Sequence, residues 1–256
     1  SVYGYHSVLV MNDGSLNGIG YNNDGRISSS LIKAEIIQFS KFSIRDNNGH
    51  PLVPISAVCT AYGTLYMLSK NSGIGRQLVY CDREINGGIP IFLDIDDQQP
   101  VALFGGIDHA AAICNNGKVI FINRYSIKNS FESKIAAISI PNDEKASSVA
   151  FCDNFVIVLS SNGRVFISVI EYGNNYLNFS AVNELANEKI VYLSGSHDHF
   201  LSVNKEGRVF GRGSNKRGQL GLGSEIESVS SFTEINSLRG YEIRAAYAGD
   251  THSLFE

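Results

Sequence analysis

Five ungapped segments of this chain share one interval: a strand start stands eight residues before a glycine, and a second run of mostly apolar residues follows it. The segments are residues 6–14 (HSVLVMNDG), 55–63 (ISAVCTAYG), 109–117 (HAAAICNNG), 155–163 (FVIVLSSNG) and 199–207 (HFLSVNKEG). The runs after the glycines read SLNGIG, TLYMLS, KVIFIN, RVFISV and RVFGRG, so each copy predicts strand, tight turn, strand. A sixth copy opens at Gly249-Asp250-Thr251-His252. The first positions lie 49, 54, 46, 44 and 53 residues apart. Short strands recurring at a period near fifty confine the chain to a propeller or a solenoid, because one such unit cannot bury its apolar face without a neighbour.

Each unit holds room for four strands. The first repeat has a third strand near residues 35–42, and the fifth has SFTEI and YEIRAAYAG as its third and fourth strands. In the second repeat VYCDREINGGIPIFLDI places two alternating runs around Asn86-Gly87-Gly88, a strong hairpin signal. Its spacing of 54 says that something has been added there. No long amphipathic helix interrupts the pattern. The expectation is an all-β fold, a β-propeller of four-stranded blades with five full repeats and the start of a sixth. It is read as one domain over 1–256, with repeats of about 1–50, 51–103, 104–150, 151–194, 195–248 and a partial 249–256.

Composition narrows the chemistry. Hydrophobic residues make up 43% of the 256, ample for burial, and Gly 25 against Pro 5 fits many tight turns. Apolar runs fall short of the eighteen residues a membrane span needs, and SVYGYHSVLV lacks the basic flank of a signal peptide, so a soluble chain is expected. A net charge of −4 with scattered basic residues, Lys216-Arg217 being the one adjacent pair, argues against nucleic acid. Cys59, Cys81, Cys114 and Cys152 lack metal-like spacing and read as reduced core residues in a cytosolic setting. His197-Asp198-His199 has no third or fourth ligand at recognisable spacing, so no metal is expected. There is no Gly-x-Ser-x-Gly elbow and no P-loop, hence no covalent catalytic site and no cofactor. His6, His109, His199 and His252 recur once per unit and read as architectural, each able to tie a loop to the next blade through its two ring nitrogens.

The stretch 207–223, GRVFGRGSNKRGQLGLG, and Gly249-Asp250-Thr251-His252-Ser253-Leu254 resemble the repeat of the regulator of chromosome condensation family. The likeness is sharpest in the fifth repeat and the start of the sixth, good in the first and third, and weak in the second and fourth. It departs in having no tryptophan before the second-strand glycine, where Ile19, Leu68 and Arg212 stand nearby, and in showing fewer units than the usual seven blades.

The resemblance implies guanine nucleotide exchange on a small GTPase, Ran foremost with Rap- and Rab-type members as further targets, through one propeller face and an inserted β-wedge. The hairpin end carrying Asp82, Arg83, Glu84, Asn86 and Gly87 is the wedge candidate, against the plainer reading of an ordinary connection. Asp46 and Asn47, in the turn at 45–49, resemble an acidic Ran-contacting loop, although they follow the third strand rather than the second. Asp108, Asp198 and Asp250 precede the recurring histidine by one or two residues and are expected to crowd onto one rim. There they either meet a basic patch on a GTPase or cap their own loops. The rival function is a non-enzymatic protein-interaction scaffold. A monomer is expected, in cytoplasm or nucleus. The Asn, Ile, Ser and Lys usage also suits a secreted effector of an intracellular bacterium, which would work in a host cytosol.

Overall fold

The computed structural model describes residues 2–3, 6–21, 35–45, 48–59, 64–71, 75–81, 90–123, 135, 137–171 and 176–256. They form antiparallel strands joined by turns and by three single-turn 3-10 helices, at Pro141–Asp143, Asn183–Leu185 and Asn236–Leu238. The first sheet holds β1 (Val2–Tyr3), β2 (His6–Val10), β3 (Leu16–Tyr21) and β4 (Glu35–Phe42). The second holds β5 (Val53–Cys59), β6 (Leu65–Asn71), β7 (Gly75–Cys81) and β8 (Ile91–Phe92). β9 (Pro100–Gly105), β10 (His109–Cys114), β11 (Val119–Asn123) and β12 (Ala137–Ile138) make the third. β13 (Ala146–Cys152), β14 (Phe155–Ser160), β15 (Val165–Val169) and β16 (Ser180–Ala181) make the fourth. β17 (Ile190–Gly195), β18 (His199–Asn204), β19 (Val209–Ser214) and β20 (Ser228–Glu234) make the fifth. β21 (Ala246–Ala248) and β22 (Ser253–Phe255) pair as a sixth sheet.

Every four-stranded sheet is a meander in chain order, as the repeat predicts, but the strand phase differs from the sequence reading. The strand that precedes each recurring position opens that position's own sheet. The YEIRAAYAG stretch therefore supplies β21 to the sixth sheet and is not the fourth strand of the fifth. The cause is local: a tight turn closed by Gly249 N–H donating to the His252 carbonyl folds β22 directly back on β21.

The second copy of the interval also moves. β6 pairs with β5 on one side and β7 on the other, as β10 pairs with β9 and β11 and β18 with β17 and β19, so the strand equivalent to β10 and β18 is β6. Residues 55–59, where the sequence reading starts its second copy, belong to β5, the first strand of this sheet, and the β6–β7 hairpin is longer than its counterparts, with Leu65 and Cys81 paired 16 residues apart against 14 for His109 and Asn123. Counted between the starts of the second strands, 59 residues separate His6 from Leu65 and 44 separate Leu65 from His109, so the additional length belongs to the first repeat. The hairpin strands predicted around residue 86 pair as β7 and β8, Val79 with Phe92 and Tyr80 with Ile91. Residues 82–89 between them lie outside the described residues. That connection joins the third strand to the fourth, as do 124–136 and 215–227 in the third and fifth sheets.

The turn glycines explain why the interval is so regular. Gly14, Gly117, Gly163 and Gly207 have φ of 75°, 84°, 86° and 78°, the left-handed region that an L side chain enters at a cost. The first strands share a further mark, an irregular register between Pro54 and Ser56, Pro100 and Ala102, Ala146 and Ser148, and Ile190 and Tyr192. Such a bulge sharpens the local twist at the same point of the second to fifth sheets.

The chain divides into two compact units, one built on Ser1–Ile138 and the other on Ser139–Glu171 with Tyr176–Glu256. Within the first, Leu65 and Met67 pack toward the first sheet, and Tyr66 and Leu68 toward the third. Both faces of the second sheet are thus buried, and its central strand reads as an unbroken apolar run. Within the second unit Ile157, Leu159, Phe200 and Phe210 fill the layer between fourth and fifth sheets. Leu201, Val203, Ala246 and Phe255 fill the next layer. At roughly 25 cal/mol per Å² of apolar surface, these layers are the principal stabilising term.

Candidate functional site

In the second unit, the turns that join each sheet's first strand to its second bring ionisable side chains together. Asp153 lies between β13 and β14, His197 and Asp198 between β17 and β18, and Asp250 and His252 between β21 and β22. Asp153 N–H donates to the His197 carbonyl at 3.0 Å, and the Asp153 carboxylate meets His197 Nδ1 at 3.1 Å, which fastens the first two turns to each other. Burial raises the Asp153 pKa above the ordinary carboxylate value. His197 pulls it back down, and the negative charges of Asp198 and Asp250 raise it further. Three carboxylates therefore act on one another across adjacent blades.

Asp198 is held from two sides. Its Oδ1 lies 3.2 Å from His199 Nδ1, and Gln219 Nε2 donates to both of its oxygens at 3.3 and 3.2 Å. His199 is fully buried, and its Nε2 lies 3.1 Å from Ser253 Oγ. Burial pushes the His199 pKa down while the Asp198 carboxylate pushes it up. The loop after β19 delivers Gln219: Asn215 Nδ2 donates to the Gly223 and Ile226 carbonyls, its Oδ1 accepts from Leu220 N–H, and the turn closes beneath Gln219. Gly213, at φ 111°, lets β19 run against the Asp198 turn, where Ser214 N–H donates to the Asp198 carbonyl at 2.9 Å. Cys152 Sγ lies beside the rim, 3.1 Å from the His197 carbonyl. Burial pushes its thiol up to about 12, so it is not a nucleophile.

The sequence-predicted residues fall in three groups. Asp198 and Asp250 do share a rim. Asp108 holds the matching turn of the third sheet, in the first unit, next to a buried His109 that packs against Phe121 at 5.4 Å. Asp46, Asn47, Asp82, Arg83, Glu84, Asn86 and Gly87 lie outside the described residues. Asp153 and Gln219 were not anticipated. Asp153 stands two residues before Phe155, as Asp250 stands before His252, and following the repeat position rather than the histidine would have found it. Among the described residues no group of three or more His, Cys, Asp or Glu is placed to hold a metal ion, and no helix is long and apolar enough to cross a membrane.

Residues 206–255 match the regulator of chromosome condensation (RCC1) repeat, the segment that carries Gln219, Asp250 and Ser253. Over 66 residues, 26% of the chain, the sequence is 42% identical to the human probable E3 ubiquitin-protein ligase HERC6, of which that match covers 6%. Human WBSCR16 superposes with a TM-score of 0.76 over 99% of this chain and 72% of its own, at 13% identity. Prp20p of Saccharomyces cerevisiae, studied for its binding to Gsp1p and histones, superposes with a TM-score of 0.64 over 100% of this chain and 81% of its own, at 12% identity. At such identities the two structures establish the fold, a β-propeller of four-stranded blades.

Proposed function

From a chain of RCC1-like repeats folded as a β-propeller, we propose a guanine nucleotide exchange factor for a small GTPase, docking through the aspartate rim of the second unit. The observation that carries the reading is the convergence of Asp153, Asp198 and Asp250 from three successive turns, close enough for two of them to raise the pKa of the third. A cationic partner relieves that mutual repulsion, so complementary charge is favoured at this surface and like charge rejected. Exchange needs no covalent chemistry. A surface that binds the nucleotide-free GTPase more tightly than the loaded form shifts the equilibrium by that difference, and carboxylates near a phosphate site disfavour the phosphate. Ran is the first target to test, with Rap- and Rab-type members next. The work would be done in cytoplasm or nucleus, or in a host cytosol for a secreted bacterial effector.

The test is release of a fluorescent guanine nucleotide from purified Ran, Rap- and Rab-type GTPases at catalytic amounts of this protein. Accelerated release that falls at least tenfold in the double variant Asp153→Asn with Asp250→Asn is the expected result. Loss in Asp82→Ala, Glu84→Ala, Asn86→Ala instead would move the working surface to the hairpin after β7. A second reading, a recruiting propeller that holds its partner without altering nucleotide release, is favoured by the match to HERC6. Stoichiometric binding with unchanged release across the panel would select it.

A further inference from the structure

At the rim Asp198, His199, Ser253 and Gln219, the last through both its side-chain amide and its main-chain carbonyl, close a circuit in which the hydrogens do not balance for a neutral histidine. Asp198 accepts at Oδ1 from His199 Nδ1, 3.2 Å away, which fixes Nδ1 as protonated. Ser253 Oγ stands 3.1 Å from His199 Nε2 and 2.6 Å from the Gln219 carbonyl oxygen. Gln219 returns through its own Nε2 to Asp198. A serine hydroxyl carries one hydrogen. With neutral His199, Nε2 and the Gln219 carbonyl are both acceptors competing for it, and one is left facing a lone pair. With Nε2 protonated, each group finds its complement: Nε2–H donates to Ser253, Ser253 donates to Gln219, and the imidazolium lies against the Asp198 carboxylate.

We propose that His199 is a proton-linked latch: protonation at Nε2 turns the Ser253 hydroxyl wholly onto the Gln219 carbonyl and fastens the 213–223 loop to β22. The charged and titratable groups acting on the ring are Asp198 from the turn before β18, and Asp250 and His252 from the turn before β22. The 213–223 loop contributes the neutral Gln219 and Ser214, whose Oγ accepts from Gln219 Nε2 at 3.3 Å. Full burial and His252 oppose the charge and the two aspartates favour it; burial outweighs them, so the ring gains its second proton below the ordinary histidine range. The latch also neutralises one of the three rim carboxylates when it closes. It holds whether or not the chain acts on a nucleotide-binding partner.

The test pairs nitrogen NMR of the His199 ring with amide hydrogen exchange in the loop, across the acid range in which the protein remains folded. The Leu220 and Gly221 amides report the loop, since they donate to Asn215 Oδ1 and to the Gly218 carbonyl. Their protection, corrected for intrinsic exchange, is expected to rise about tenfold as the ring gains its second proton, the size of one charge-assisted hydrogen bond. The rise is expected to vanish in Ser253→Ala and to persist in His252→Asn. A ring that titrates with no change in protection overturns the latch. So does a rise that survives Ser253→Ala, or a ring that never titrates before the protein unfolds.

Discussion

The guanidinium carbon of Arg212 lies 5.2 Å from the ring centroid of Phe155. Phe155 stands where other repeats carry histidine, and Arg212 stands near the position where the family repeat usually has tryptophan. The two departures from the pattern meet in space, one on the fourth sheet and one on the fifth, as a cation–π pair. A double-mutant cycle with Phe155→Leu and Arg212→Met, read by urea unfolding, should give a coupling of about 0.5–1 kcal/mol. A coupling indistinguishable from zero would mean that the two exchanges are independent.

Gly213 carries the approach of β19 to the Asp198 turn. Its φ is 111°, and a Cβ built there collides with the Asp198 carbonyl oxygen, a backbone atom that cannot swing aside. Gly213→Ala should destabilise the protein by about 1–3 kcal/mol or more and displace Asp198 from Gln219. Gly218→Ala is the control, because φ there is 77° with open space around it. It should cost only about 1 kcal/mol for the left-handed backbone. Equal losses at the two positions would remove the steric argument.

The repeat was legible because a hairpin turn that needs positive φ all but demands glycine, and four of the five turn glycines are described in that conformation. Strand phase was not legible, for a packing reason. When both faces of a sheet are covered, every strand becomes an apolar run, and LYMLSKNSG fits the eight-residue interval as well as ISAVCTAYG does. Asp198 and Asp250 could be found because each sits just before a histidine, whereas Phe155 hid the frame that points to Asp153. Gln219 reads as part of a glycine-rich turn, and only folding carries its amide to an aspartate 21 positions earlier.

Charge crowding at the rim gives a prediction of its own. Asp250→Asn removes one of the negative charges that hold the Asp153 pKa up, so the Asp153 carboxyl should titrate at lower pH in that variant. Carbon NMR of the side-chain carboxyl follows this directly. His197→Gln should move it the other way, since His197 draws the value down, while an exposed pair of this kind adds little to stability. An Asp153 titration indifferent to both changes would mean that the three turns do not share a field.

His109 sets a pH dependence for stability. Burial pushes its pKa down to about 4, against 6.5 for an unperturbed histidine, and its Nδ1 is enclosed without a hydrogen-bond partner among the described residues. Above pH 6.5 the ring is neutral in folded and unfolded chains, and it contributes nothing to the pH slope. Between 6.5 and 4 the unfolded chain takes up a proton that the folded chain refuses, so stability falls as the pH drops. Below 4 both states are charged, and the loss levels off at no more than about 3.4 kcal/mol from this group. Urea unfolding at pH 7.5, 5.5 and 4.0 should show that decline, and His109→Phe, which keeps an aromatic ring against Phe121, should flatten this part of it. A variant whose stability declines as steeply as the parent chain's over the same range would assign the acid sensitivity to other groups.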